Sequence, residues 1–157
     1  MDDPADHANV RFPPPLLYLG ALIIGVVLGW ILHVPGFGSY RALSLYAGGV
    51  LAIAGIALVT TAAGLFRRMG TNVRPTQPST TLVATGLYRW TRNPMYLGMA
   101  LLYGGLALLL DSIVALILLP VVLVIIRTQV IAREERYLEA RFGDDYRAYK
   151  RRVRRWL

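Results

Sequence analysis

Two short stretches of the chain hold the side chains best suited to chemistry. In ATGLYRWTRNPMYLG, residues 84–98, Arg89 and Arg92 lie just before the dipeptide Asn93-Pro94. That dipeptide predicts a helix start: asparagine suits the N-cap, proline suits the first turn, and a residue before proline avoids helical dihedrals. The free backbone N–H groups and positive dipole end of such a helix, reinforced by two guanidinium groups, can hold a carboxylate or phosphate. Tyr88, Trp90 and Tyr96 supply flat surfaces beside it. The second stretch, REERYLEARFGDDYRAYKRRVRRW over residues 133–156, opens with the adjacent acids Glu134 and Glu135. Neighbours on a helix point about 100° apart, so at most one of the two is expected to face inward. A single inward carboxylate opposite an anion site makes a pocket with separated charges. Such a pocket fits a zwitterionic amino acid moiety, with arginine or the helix N-terminus on its carboxylate and glutamate on its ammonium.

The elements that must position these groups are apolar. Residues 16–32 carry no charge and, at about 1.5 Å per residue, reach across most of a hydrocarbon core of about 30 Å. Residues 34–41, with Pro35, Gly36 and Gly38, form a short loop. A second uncharged run spans residues 42–66, and its small residues Gly48, Gly49, Ala52, Gly55 and Ala63 let another helix approach closely. Residues 67–93 form a structured basic loop at the membrane surface. Residues 94–110 and 112–126 are two shorter apolar runs separated by Asp111, a tight helical hairpin within residues 94–130 whose second helix Asp111 is expected to cap. Pro120 is expected to kink that helix. Beyond it, Leu138, Phe142, Tyr146, Tyr149, Val153 and Trp156 recur in steps of three and four, predicting an amphipathic helical tail over residues 131–157. Gly143 followed by two aspartates predicts a stop and restart within it. Residues 1–15 carry three aspartates rather than a basic start, so they read as a solvated tail and not a signal peptide, and the prolines 13–15 stiffen the approach to the first span.

The expected fold class is therefore an all-α integral membrane protein of about four transmembrane helices, a single membrane domain with a C-terminal hairpin and an amphipathic C-terminal helix. Of 157 residues, 55% are hydrophobic and only 17% charged, more apolar surface than a soluble domain of this length buries. No cysteine is present, which excludes disulfides, thiolate ligands and a cysteine nucleophile. The net charge of +8 falls outside the apolar runs and suits anionic lipid headgroups; nucleic acid is not an expected partner. With four spans, the loop of residues 67–93 and the tail share one side and Arg41 stands alone on the other, so the basic side is expected to be cytoplasmic. All but one of the 17 basic residues are arginine, Lys150 being the exception, which fits a GC-rich bacterial genome and an inner-membrane location. The small-residue face of the second span also permits an oligomer.

The segments PTQPSTTLVATGLYRWTRNPMYLG and EERYLEARFGDDYRAY resemble the isoprenylcysteine carboxyl methyltransferase and phospholipid N-methyltransferase superfamily of membrane enzymes. Its signature is a Gly-x-Tyr, an Arg-His-Pro-x-Tyr, and then a Glu-Glu with a downstream Phe-Gly-x-x-Tyr. The resemblance covers residues 70–156, and two ordered, separated motifs are more specific than either alone. It implies S-adenosylmethionine as cofactor, no metal, and a lipophilic acceptor, either a phospholipid amine or an isoprenylcysteine-type carboxylate. By position it implies one wall of the cofactor pocket from Gly86, Tyr88, Arg92, Asn93, Pro94, Tyr96, Leu97 and Gly98, with Glu134 and Glu135 opposite. Glu134, Glu135 and Arg92 would then be the catalytic groups. Asn93 stands where the family often has histidine, and the family's final Val-Pro-Arg-Trp reads Val153, Arg154, Arg155, Trp156.

Each feature also has a plainer reading. Arg89 and Arg92 serve as positive-inside anchors in many membrane proteins, Arg127 can snorkel to headgroups, and Trp90, Tyr96 and Trp156 can form an interfacial belt. Glu134 and Glu135 can be solvated partners of Arg133 and Arg136. His33, without a second histidine nearby, reads as a boundary residue. A sterol-reductase-like NADPH oxidoreductase and a non-catalytic lipid-binding membrane protein are the alternative functions; binding of S-adenosylhomocysteine, of NADPH or of neither separates the three.

Overall fold

The computed structural model describes residues 13–70, 72 and 80–156. Residues 1–12 of the expected 1–15 tail and most of the loop after residue 70, Arg74 included, lie outside them. Five helices follow one another: α1 Pro14–Ile31, α2 Arg41–Arg68, α3 Pro94–Leu109, α4 Ile113–Ile125 and α5 Ala132–Arg152. Short 3₁₀ turns at Gly38–Tyr40 and Gly86–Arg89 precede α2 and α3. The protein is all-helical, and α1, α2 and the run that begins with α4 are long and apolar enough to cross a membrane, with α3 a shorter apolar helix. Leu19, Ile23, Ile53, Ile56, Ile117 and Val124 are all exposed along these helices. Water would not tolerate so continuous an apolar surface, whereas lipid tails cover it without cost.

Helix α3 is the centre of the bundle. It packs on α2, α4 and α1, while α1 packs on α4. The α2–α3 contact is made by backbones because small residues face each other. A methyl group on Gly55 would lie 2.5 Å from the amide nitrogen of Leu102 and 2.6 Å from the carbonyl of Gly98, and one on Gly105 would lie 2.6 Å from the nitrogen of Ala52. Of the small residues singled out in α2, Gly48, Ala52 and Gly55 are buried, whereas a methyl on Gly49 would meet nothing within 4 Å. On the other side of α3, the Tyr18 hydroxyl donates to the Tyr96 carbonyl at 3.2 Å and the Tyr103 hydroxyl to the Ala115 carbonyl at 2.9 Å, tying α1 and α4 to it.

The α3–α4 turn departs from expectation. Ser112, not Asp111, caps α4: the Ala115 N–H donates to the Ser112 hydroxyl oxygen at 3.1 Å. Asp111 lies in the left-handed region at φ 58, which turns its carboxylate outward from α4. There it accepts the Phe37 N–H at 3.0 Å and lies 3.8 Å from Arg41. Arg41 in turn donates to the carbonyls of Leu108 and Leu109 in the last turn of α3, both at 2.9 Å, and the Leu108 carbonyl also accepts the Asp111 N–H at 3.2 Å. Arg41, the one arginine among the described residues at this end of the bundle, therefore acts on the last turn of α3.

Helix α4 runs through Pro120, and a π-helical turn over Ile126–Ile131 then leads straight into α5. The amphipathic tail is thus a continuation of the fourth span. Gly143 breaks α5 at φ 52 and ψ −122, the expected interruption.

Gly55→Ala and Gly105→Ala are each expected to destabilise the bundle by about 1–3 kcal/mol through forced separation of α2 and α3. Gly49→Ala, on the same helix with open space around it, is expected to leave stability unchanged or slightly raised. Thermal unfolding of the detergent-solubilised variants checks the contrast.

Candidate functional site

The polar cluster forms where the start of α3, the start of α5 and the chain's last residues meet. The approach to α3 is shaped by Gly86, whose φ of 57 is left-handed and whose missing side chain makes room for Leu65 at the end of α2. The turn that follows buries Tyr88, with its ring 5.3 Å from that of Phe66 and its carbonyl accepting the Tyr149 hydroxyl at 2.8 Å. Next, residues 91–93 lie against the end of the chain. The Arg92 N–H donates to the Arg154 carbonyl at 2.9 Å, and the Asn93 amide and Thr91 hydroxyl donate to the Arg155 carbonyl at 2.9 and 3.2 Å. Asn93 occupies the N-cap position of α3 without making a side-chain capping bond, because its amide is engaged with Arg155. Pro94 is fully buried behind it.

Both adjacent glutamates find partners, which overturns the expectation that at most one faces inward. Glu134 accepts the Tyr96 hydroxyl at 2.5 Å. Glu135, only 7% exposed, receives a two-pronged contact from Arg155, Nε to Oε1 at 3.0 Å and Nη2 to Oε2 at 2.6 Å. Its Oε1 also lies 3.2 Å from Nη1 of Arg92. Helix α5 has protein on two sides here: α3 on one, the folded-back terminal residues on the other. A separation of about 100° therefore directs the two acids to different partners rather than one of them to solvent.

Burial pushes the Glu134 carboxyl up to about 7; the Tyr96 hydrogen bond opposes that rise and the charge of Glu135 adds to it. Burial likewise raises the Tyr146 hydroxyl to about 12, with Glu135 reinforcing and Arg92 opposing. The fork to Glu135 raises Arg155. Three polar atoms in this cluster are buried without an aligned hydrogen-bond partner: the Tyr88 hydroxyl and Nε and Nη1 of Arg92. Nη1 is close enough to Glu135 to pair electrostatically, yet its N–H does not point along a hydrogen bond. Buried donors in this condition cost stability unless something supplies acceptors.

Tyr88, Arg92, Asn93, Tyr96, Glu134 and Glu135 thus converge, while other singled-out residues play packing roles. Gly98 faces α2, where a methyl would lie 2.8 Å from Val59, and Gly86 makes the turn. Leu97 is half-buried, and Arg89, Trp90 and Arg127 are exposed. Arg155 and Thr91 joined the cluster without being singled out as site residues. The only sequence signal for Arg155 was its place in the terminal Val-Arg-Arg-Trp run.

This is an apolar helical bundle with one charged, partly water-excluded cluster at its arginine-rich end. A family model described as phospholipid methyltransferase matches residues 43–145, more than half of the chain, and the chain belongs to that family. It is accordingly a membrane methyltransferase. An uncharacterised protein of Haemophilus influenzae is 44% identical over 63 residues, which cover 40% of this chain and all of that protein. The protein-S-isoprenylcysteine O-methyltransferase of Schizosaccharomyces pombe is 38% identical over 72 residues, 46% of this chain and 30% of the yeast enzyme's length. No solved structure matches the chain.

Because the folded state holds a proton on Glu134 up to about pH 7 while an unfolded glutamate loses it near 4.5, the folded state binds more protons between those values. Stability contributed by this group is therefore expected to fall as pH rises from about 4.5 to about 7 and to level off above. In Glu134→Gln that slope should vanish, measured as the melting temperature against pH for both proteins.

Proposed function

We propose that the protein is an S-adenosylmethionine-dependent methyltransferase whose cofactor binds between the start of α3 and the start of α5, and whose acceptor is lipophilic, a phospholipid amine or an isoprenylcysteine-type carboxylate. What carries the reading is the set of buried donors without acceptors, the Tyr88 hydroxyl and Nε and Nη1 of Arg92, facing a pair of glutamates at the head of α5. A zwitterionic amino acid group fits that donor set: its carboxylate suits Arg92, and its ammonium suits a glutamate. Family membership and the similarity to the yeast isoprenylcysteine enzyme support the same choice.

When bound, S-adenosylmethionine supplies an electrophilic methyl group on a sulfonium. The chain's own task is alignment and exclusion of water, because in-line displacement depends on orientation and gains from a low local dielectric. Arg92 would hold the carboxylate of the amino acid group and a glutamate at the head of α5 its ammonium, and the tyrosines Tyr88 and Tyr96 would shield the reaction from water. A carboxylate acceptor needs no proton removed. A lipid ammonium must lose one, and Glu134, which holds a proton to about pH 7 and is bonded to Tyr96, is suited to take it. The apolar outer faces of the helices would let a lipid reach this end sideways. The arginine-rich end is taken as cytoplasmic on the positive-inside rule, and an inner membrane of a bacterium as its location.

Glu134→Gln and Arg92→Ala are expected to weaken S-adenosylhomocysteine binding at least about tenfold while the protein stays folded. Glu139→Gln should bind as wild type, since Glu139 pairs with Lys150 at 3.1 Å away from the cluster. Calorimetric titration of the purified proteins checks this, and equal affinity in all three variants overturns the site. Incubation with methyl-labelled cofactor and host membrane lipids, followed by identification of the labelled species, names the acceptor; NADPH binding in place of S-adenosylhomocysteine would overturn the methyltransferase chemistry.

A further inference from the structure

We propose that Arg155 is a positioning residue: by neutralising Glu135 through its two-pronged contact, it frees the guanidinium of Arg92 to bind the carboxylate of the cofactor's amino acid group. This rests on the reading of the cluster as an S-adenosylmethionine site. The cluster holds two guanidinium groups, Arg92 and Arg155, and one well-buried, paired carboxylate, Glu135. The division of that carboxylate is unequal. Arg155 takes both oxygens at 3.0 and 2.6 Å, whereas Arg92 approaches one at 3.2 Å without an aligned hydrogen bond and has Nε unpartnered as well.

A buried carboxylate facing a single guanidinium draws it into a closed pair. With Arg155 gone, Arg92 still lies 3.2 Å from Glu135, and its free edge would turn to that carboxylate. With Arg155 in place Glu135 faces two guanidinium groups, and a carboxylate ligand supplies the second counter-charge. The placement of Arg155 is itself determined by the fold. Its carbonyl accepts from Asn93 and Thr91 at the head of α3, and Trp156 beside it packs on the bundle core. The chain's end is thus fixed to the element that carries Arg92.

The test compares two ligands on the full-length protein in detergent micelles or nanodiscs: S-adenosylhomocysteine, which carries the amino acid group, and 5′-methylthioadenosine, which is the same nucleoside thioether without it. Arg155→Ala is expected to weaken S-adenosylhomocysteine by about tenfold and to change 5′-methylthioadenosine by less than about twofold. Arg155→Lys, which restores the charge without the fork, should recover part of the loss. If Arg155→Ala does not fold, Arg155→Lys carries the same comparison, with a smaller loss confined to S-adenosylhomocysteine. Wild-type affinity for S-adenosylhomocysteine in the folded variants, or an equal loss of both ligands, overturns the positioning role while leaving the cofactor site standing. A wild-type protein that binds neither ligand overturns the cofactor site and this inference with it.

Discussion

Glu135 is a carboxylate removed almost entirely from water, and the arrangement of the polar end follows from the need to compensate it. An isolated buried charge costs several kcal/mol, and removing one partner of a buried pair costs about 3–5 kcal/mol. Two guanidinium groups meet this demand, Arg92 from the approach to α3 and Arg155 from the folded-back terminal residues. Because Arg155 must reach Glu135, the terminal residues fold back along α5. Because they fold back, their carbonyls become the acceptors for Arg92, Asn93 and Thr91. One buried carboxylate thereby holds three separate pieces of chain in register, and it does so at the place where buried donors are left over.

The opposite end of the bundle uses charge for a different purpose. Arg41 and Asp111 link the first loop, the start of α2 and the end of α3, with Arg41 donating to two carbonyls of the last turn of α3. Between the two ends there is almost no polar chemistry, and in lipid the apolar effect gives helices no reason to associate. What holds the middle is close backbone approach across Gly48, Ala52 and Gly55 on α2 and Gly98 and Gly105 on α3, together with tyrosine hydroxyls donating to main-chain carbonyls. The position of Tyr96 relative to Glu134 depends on that packing. Helix α3 can hold the hydroxyl at hydrogen-bond distance only while α2 and α1 fix its rotation and depth.

Much of this was legible in the sequence because it rests on local rules. Uncharged runs of membrane-crossing length, Asn93-Pro94 as a helix start and Gly143 as a break depend on residues close in the chain. So does the small-residue stripe of α2, although sequence could not say which glycines faced α3, and Gly49 does not. The errors have a common cause. Asp111 was expected to cap α4 and Asn93 to cap α3, yet both side chains are taken by partners far along the chain, Phe37 and Arg155 respectively. A capping preference of about 1 kcal/mol is easily outbid by a tertiary contact that also satisfies a buried carbonyl or amide. Arg155 was hidden in a run of similar arginines, where nothing local distinguishes the one that turns inward.

The two glutamates show how a small irregularity sets the whole site. A helix continued from α4 in uniform α geometry would carry a fixed phase from the membrane to α5. The π-helical turn at Ile126–Ile131 instead accommodates an extra residue within the ladder. One inserted residue rotates everything downstream by about 100°, the angle between Glu134 and Glu135 themselves. Without it, the positions now held by Glu134 and Glu135 would pass to their preceding neighbours, Arg133 and Glu134, and a guanidinium in place of a carboxylate would meet the Tyr96 hydroxyl. Ile126, Val130 and Ile131 are buried, so the turn is held by packing and not by loose chain. The fourth span can therefore satisfy its lipid-facing pattern independently, and α5 can still present both acids to protein.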